Sequence, residues 1–130
     1  MPETLYDTRF FIYLLTAKDV TIARRLKSEL DTRKRRYVSA VTVHEVYRLS
    51  LQDEGRDVAR MRRSSIERDF QVIDVNSDIA VEAAEIKVAQ GSDFPLADAI
   101  IGATAVLRRL ECFTDDDHLK KLEKVKTRWI

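Results

Sequence analysis

The stretch "FPLADAIIGATAVL", Phe94 to Leu107, holds one charged residue, Asp98, in fourteen positions. A helix that is apolar on every side belongs inside a fold rather than on its surface. Phe94 precedes proline and is pushed out of the α region, while Pro95 suits the first helical position, so the helix is predicted to start there. Asp98 then lies near the N-terminal turn, where the helix dipole favours its charge by about 1 kcal/mol. That does not offset the burial of a bare carboxylate, which costs several kcal/mol. Ala99, Gly102 and Ala103 keep the surroundings small and let other groups approach. A buried helix with a single carboxylate needs a partner elsewhere in the chain.

Outward from this helix, short apolar patches that suit strands alternate with longer segments of helical period. "TLY" (4–6) reads as a strand and "TRFFIYLLT" (8–16) as a mostly buried helix. Ile22, Ala23, Leu26 and Leu30 are spaced for a second, amphipathic helix. "RYVSA" (36–40) suits a strand, "VTVHEVYRLSLQ" (41–52) a helix, and residues 55–69 a charged helix. "DFQVIDV" (69–75) reads as a strand and "SDIAVEAAEIKVAQ" (77–90) as a helix with Ser77 as N-cap. After the apolar helix come a strand "ECF" (111–113), a helix "DDDHLKKLEK" (115–124) and a closing strand "VKTRWI" (125–130). This order predicts an α/β fold, a parallel sheet covered on both faces, in a single domain over residues 1–130. Right-handed crossovers gather the carboxyl ends of the strands at one edge, where open α/β sheets bind ligands.

Composition narrows the setting. A chain of 130 residues can bury most of its apolar surface without covalent staples. Cys112 is the only cysteine, so no internal disulfide forms, and a cytoplasmic location is expected. No apolar run reaches the ~18 residues of a membrane span, and no signal-peptide core opens the chain, so no membrane association is expected. The net charge of +1 does not announce a nucleic-acid binder, but the basic residues are clustered. Arg24, Arg25, Lys27, Arg33, Lys34, Arg35 and Arg36 form one group, and "RDVARMRRSSIERD" (56–69) carries five arginines. A neutral total can therefore hide two oppositely charged surfaces.

Acids stand out at the predicted strand ends. Asp7 follows the first strand, where it can cap the next helix or line a ligand edge. Glu45 has Val41 and Leu49 four residues to either side, so its stripe is no obvious solvent face; His44 and Arg48 offer a local ion pair. Asp115, Asp116 and Asp117 sit in a strand-to-helix turn, with Leu119 and Leu122 anchoring the helix inward. There one acid can cap, another face solvent and a third point along the sheet edge. Gathered carboxylates repel one another and phosphate unless a cation joins them. Mg²⁺ and Mn²⁺ prefer oxygen donors and serve in-line cleavage of phosphodiesters. His44, His118 and Cys112 lack the spacing of zinc ligands, and His118 is expected at the surface or behind the acids.

In order and context, "LYDT", "SAVTVHEV", "FPLADAIIGATA" and "FTDDDHL" resemble the PIN domain, in the compact form of the VapC-type toxin ribonucleases of toxin–antitoxin pairs. The matching pieces span residues 5–119. The resemblance implies a three-layer α/β/α sandwich around a parallel sheet, with Asp7, Glu45, Asp98 and Asp116 as the catalytic acids. It places Asp7, Asp98 and Asp116 nearest a Mg²⁺ or Mn²⁺ ion and Glu45 further out or on a second ion. Thr8 and Thr114 resemble the small polar residues that orient carboxylates, and Asp115 and Asp117 remain as capping, solvated or auxiliary acids. It further implies RNA as substrate, a small antitoxin as partner, and a homodimer. Arg9 departs from the pattern, since the residue after "DT" is often small and polar; it is a candidate contact for RNA or antitoxin.

Two other readings use some of the same residues. A non-catalytic RNA-binding or docking module would keep the fold without the chemistry. A phosphatase or a receiver domain also uses an Asp after the first strand. The former needs a second Asp two residues on, where Arg9 stands, and the latter needs adjacent acids, where Tyr6 and Thr8 flank Asp7.

Overall fold

The computed structural model describes residues 3–16, 19–32 and 35–130; Arg33 and Lys34 of the first basic group lie outside them. Five short strands form one sheet: β1 (Thr4–Tyr6), β2 (Arg36–Ser39), β3 (Gln71–Ile73), β4 (Glu111–Phe113) and β5 (Thr127–Arg128). Their order is β3-β2-β1-β4-β5, and every neighbouring pair is parallel. The helices are α1 (Thr8–Thr16), α2 (Val20–Asp31), α3 (Ala40–Glu54), α4 (Arg56–Asp69), α5 (Ser77–Gln90), α6 (Leu96–Arg108) and α7 (Asp117–Lys120).

The three layers follow from side chains alternating along each strand. Leu5 pairs in register with Tyr37 and Cys112, and all three face a core that takes Ile79 and Ala83 from α5 and Ala99, Ile101, Ala103 and Ala105 from α6. Tyr6, Val38 and Phe113 share the next register and face the opposite core, which holds Phe10, Phe11, Leu26, Val46 and Ile66 from α1 to α4. Phe70 packs edge-on to Tyr6 and Phe11 there, and Trp129 covers Phe113 at 4.8 Å. Cys112 is fully buried, the small apolar residue that its setting predicts, and burial drives its thiol pKa well up. The α/β/α sandwich with a central parallel sheet is thus observed. Among the described residues, no helix is long and apolar enough to cross a membrane.

The differences from expectation are local. Asn76 rather than Ser77 caps α5, its side-chain oxygen accepting the Ile79 N–H at 2.9 Å. Pro95 occupies the cap of α6, and Leu96 is the first helical residue. The β3 strand is limited to Gln71–Ile73 because it pairs only with Tyr37 to Ser39 of β2. The α7 helix ends at Lys120, since the next N–H groups close tight turns, Leu122 onto Leu119 and Val125 onto Leu122, that drop the chain into β5. Gly102 permits this descent beside α6: a Cβ there would lie 2.6 Å from Leu122 Cδ1.

The strand order decides where a site can form. After β1 and β2 the chain crosses on the α1–α4 face, and after β3 and β4 it crosses on the α5–α7 face. The carboxyl ends of β1 and β4 are therefore a topological switch point, where the outgoing segments part and leave a crevice.

Candidate metal centre

Asp7 leaves β1 directly into that crevice and is only 1% exposed. Its Oδ1 accepts the Phe10 N–H at 3.2 Å, so it caps the first turn of α1, and its Oδ2 accepts the Thr114 hydroxyl at 2.5 Å. The cap and the site acid are the same residue. Thr114, fully buried after β4, also accepts the Asp116 N–H at 2.9 Å, so one hydroxyl ties the two acids together across the β1–β4 boundary.

Asp116 caps α7, its Oδ1 accepting the N–H groups of His118 at 2.8 Å and Leu119 at 3.4 Å. Capping therefore falls to Asp116 and not to Asp115 or Asp117. Asp98, in the first turn of α6, approaches from the other side of the crevice. His118 Nδ1 lies 3.3 Å from Asp98 Oδ2 and 3.3 Å from Asp116 Oδ1. One ligand atom from each of Asp98, Asp116 and His118 falls within 4.8 Å of the others. His118 thus lies beside both acids with its side chain 44% exposed. The signal for it in the sequence is its place two residues after Asp116, early in the helix predicted over 115–124.

Glu45 enters from α3. Its Oε1 accepts the Thr8 hydroxyl at 2.5 Å, and Thr8 also shares a hydrogen bond with Thr42 Oγ1 at 3.0 Å. Arg48, one of the two local partners open to it, turns to Gln52 instead. Arg9 pairs with Asp115 at 2.6 Å and donates to the Tyr13 hydroxyl, which donates in turn to Asp115. This exposed triangle gives Asp115 its own cation, while Asp117 is exposed in the first turn of α7.

The electrostatics follow from burial without enough positive charge. Burial pushes the Asp7 carboxyl up from 3.8 to about 7, against the Thr114 and Phe10 hydrogen bonds, and the charges of Asp116 and Asp98 push the same way. Asp98 is held up at about 6 by burial and then by Asp116; His118 and Arg9 pull it down and Glu45 pushes it up. Among the described residues, no lysine or arginine forms an ion pair with either. Carboxylate oxygens with one imidazole nitrogen, converging where the chain supplies too little positive charge, are donors that fit a divalent cation.

A doubly wound parallel sheet with carboxylates meeting at its switch point defines an α/β domain built around an acidic centre. The chain belongs to the PIN domain family, whose model matches residues 4–125. Its fold is similar to that of a chain in a toxin–antitoxin complex from Klebsiella pneumoniae, at 28% identity and TM-score 0.73 over 98% of this chain and 100% of that one. Similar folds occur in DNA-bound VapBC from Salmonella typhimurium, at 16% identity and TM-score 0.79 over 99% and 98% of the chains. The VapC20 toxin of Mycobacterium tuberculosis, which cleaves the sarcin–ricin loop, matches at 20% identity and TM-score 0.78 over 95% and 99%. No curated protein matches the sequence.

Proposed function

We propose that this PIN domain is a metal-dependent endoribonuclease, the toxin of a VapBC-type toxin–antitoxin pair, that hydrolyses RNA phosphodiester bonds with Mg²⁺ or Mn²⁺. The observation that carries the reading is that Asp7 and Asp116 share the Thr114 hydroxyl while Asp98 and Asp116 approach each other, with Asp7 and Asp98 held above the usual carboxylate range. The toxin–antitoxin complexes among the similar structures support the antitoxin as partner.

In this reading Asp7, Asp98 and Asp116 hold the ion and Thr114 sets the spacing of Asp7 and Asp116. A bound divalent ion supplies Lewis-acid activation of water and stabilises the leaving oxygen. Glu45, oriented by Thr8, is the outer acid that takes a proton from the attacking water. Asp117 supports the start of α7 through the helix dipole. Arg9, steadied by Asp115 and Tyr13 at the rim, meets RNA phosphate or an antitoxin carboxylate. The toxin acts in the cytoplasm and forms a homodimer.

Cleavage of single-stranded RNA with Mn²⁺, with and without EDTA, tests this for the wild type and Asp98→Asn. EDTA is expected to abolish cleavage and the substitution to slow it at least ~100-fold. Equal cleavage by the variant would end the metal-centre reading, and no cleavage by the wild type would leave a docking module.

A further inference from the structure

We propose that His118 is itself a metal ligand, and that this centre takes a first-row transition ion such as Mn²⁺ in preference to Mg²⁺. The inference rests on the metal-dependent reading above and adds the chemical class of the ion. Mg²⁺ demands oxygen donors and retains its waters, whereas an imidazole nitrogen favours transition ions. Nδ1 stands 3.3 Å from one oxygen of Asp98 and 3.3 Å from one of Asp116. Neighbouring donors about 2.1 Å from an octahedral ion are separated by about 3 Å. Nδ1 thus stands close to that spacing from an oxygen of each carboxylate, and one ligand atom from each of the three residues lies within 4.8 Å of the others.

The imidazole is also held in that place. The His118 N–H donates to the same Asp116 oxygen, so the root of the side chain is fixed to the carboxylate that its ring approaches. The ring meets buried Phe94 edge-on, with centroids 5.6 Å apart and planes at 83°. Phe94 directly precedes Pro95 at the cap of α6, so the element that presents Asp98 also supports the histidine. The opposing role is a tethered counter-ion, an imidazolium that balances Asp98 and Asp116 and withdraws when metal binds. The two roles predict different spectra.

The test uses the full chain stripped with EDTA and reloaded with Mn²⁺. Electron spin-echo modulation of the bound ion is expected to carry the coupling of a directly bound imidazole nitrogen. His118→Gln, whose side chain is 44% exposed in the wild type and replaceable without loss of core, should lose that coupling. The Mg²⁺ concentration that displaces half of the Mn²⁺ should fall about tenfold in the variant relative to wild type. Bound Mn²⁺ without nitrogen coupling in the wild type overturns the ligand role and leaves the metal-dependent nuclease intact. An unchanged Mn²⁺ to Mg²⁺ preference in His118→Gln overturns it equally. Absence of Mn²⁺ binding at millimolar concentration, or binding unaffected by Asp98→Asn, overturns both this inference and the reading beneath it.

Discussion

The β1–β4 pair carries a buried threonine hydroxyl directed at a buried carboxylate at each of its two ends. At the amino end Thr4 of β1 donates to Glu111 of β4 at 3.5 Å. At the carboxyl end Thr114 donates to Asp7 at 2.5 Å. Both carboxylates are shut from water, Glu111 at 6% exposure and Asp7 at 1%. They differ in their cations. Arg128 donates to Glu111 at 3.0 Å, stacks over Phe113 and pairs with Glu29, whereas no arginine or lysine among the described residues pairs with Asp7. One sheet thus pairs the acid buried at its amino end with an arginine and leaves the acid buried at its carboxyl end without one among the described residues. Neutral donors orient Asp7 but cannot balance its charge, which leaves a proton or an added ion to do so.

The largest expected effect breaks this comparison at Asp7. In metal-free protein Asp7 holds its proton up to about pH 7 when folded, against 3.8 unfolded. The folded state binds more protons between those values, so stability is fullest below about pH 4 and falls as pH rises to about 7. Asp98, at about 6 when folded, adds the same sign over a narrower window. Asp7→Asn should remove on the order of 4 kcal/mol of the decline between pH 4 and 8. Urea denaturation of the EDTA-treated proteins measures it, and parallel wild-type and variant curves would mean that Asp7 is as well compensated as Glu111. Excess Mn²⁺ at pH 7.5 should restore wild-type stability by binding the folded state alone.

Next in size is the opposite end. Arg128→Leu keeps apolar cover on Phe113 but leaves Glu111 buried with, among the described residues, only the long Thr4 contact. Breaking a buried pair in this way costs about 3 kcal/mol, measured as a lower urea midpoint at pH 7. RNA cleavage below the unfolding transition should be unchanged, because Arg128 touches none of the crevice acids. A matching loss of cleavage would show that the two ends of the sheet are coupled rather than separate.

How much of this was legible in the sequence depends on the range of each interaction. Asp98 could be read alone, because one charge inside fourteen uncharged residues is a local anomaly. The layers followed from alternation and helical period, which are also local. Pairings across the chain were not legible. Thr4 with Glu111 and Asp7 with Thr114 each join residues 107 apart, and the Arg9–Asp115 pair spans 106. These contacts exist because β1 lies beside β4, and no periodicity announces a neighbour in the sheet. The family resemblance selected Asp116 from three adjacent aspartates, but the cap that Asp116 provides and the approach of His118 needed the turn after β4 in three dimensions.

The finest test compares the two threonines. Thr114→Val keeps the shape but removes the donor to Asp7 and the acceptor for the Asp116 N–H together. Losing both in a buried setting should cost about 2 kcal/mol. The Thr114 hydrogen bond is the strongest influence holding the Asp7 pKa down, so the variant should titrate above the wild type's value of about 7. Thr4→Val removes only a 3.5 Å contact from a carboxylate that Arg128 still holds, and should cost less than about 1 kcal/mol. Carboxyl-carbon NMR titration follows Asp7, and urea denaturation ranks the two variants. Thr114→Ser, with the hydroxyl returned, should recover the wild-type titration if the hydrogen bond, rather than the methyl packing, sets it. Equal costs for the two valine variants would mean that the hydroxyls contribute alike at both ends, and that the arginine alone distinguishes structural acid from crevice acid.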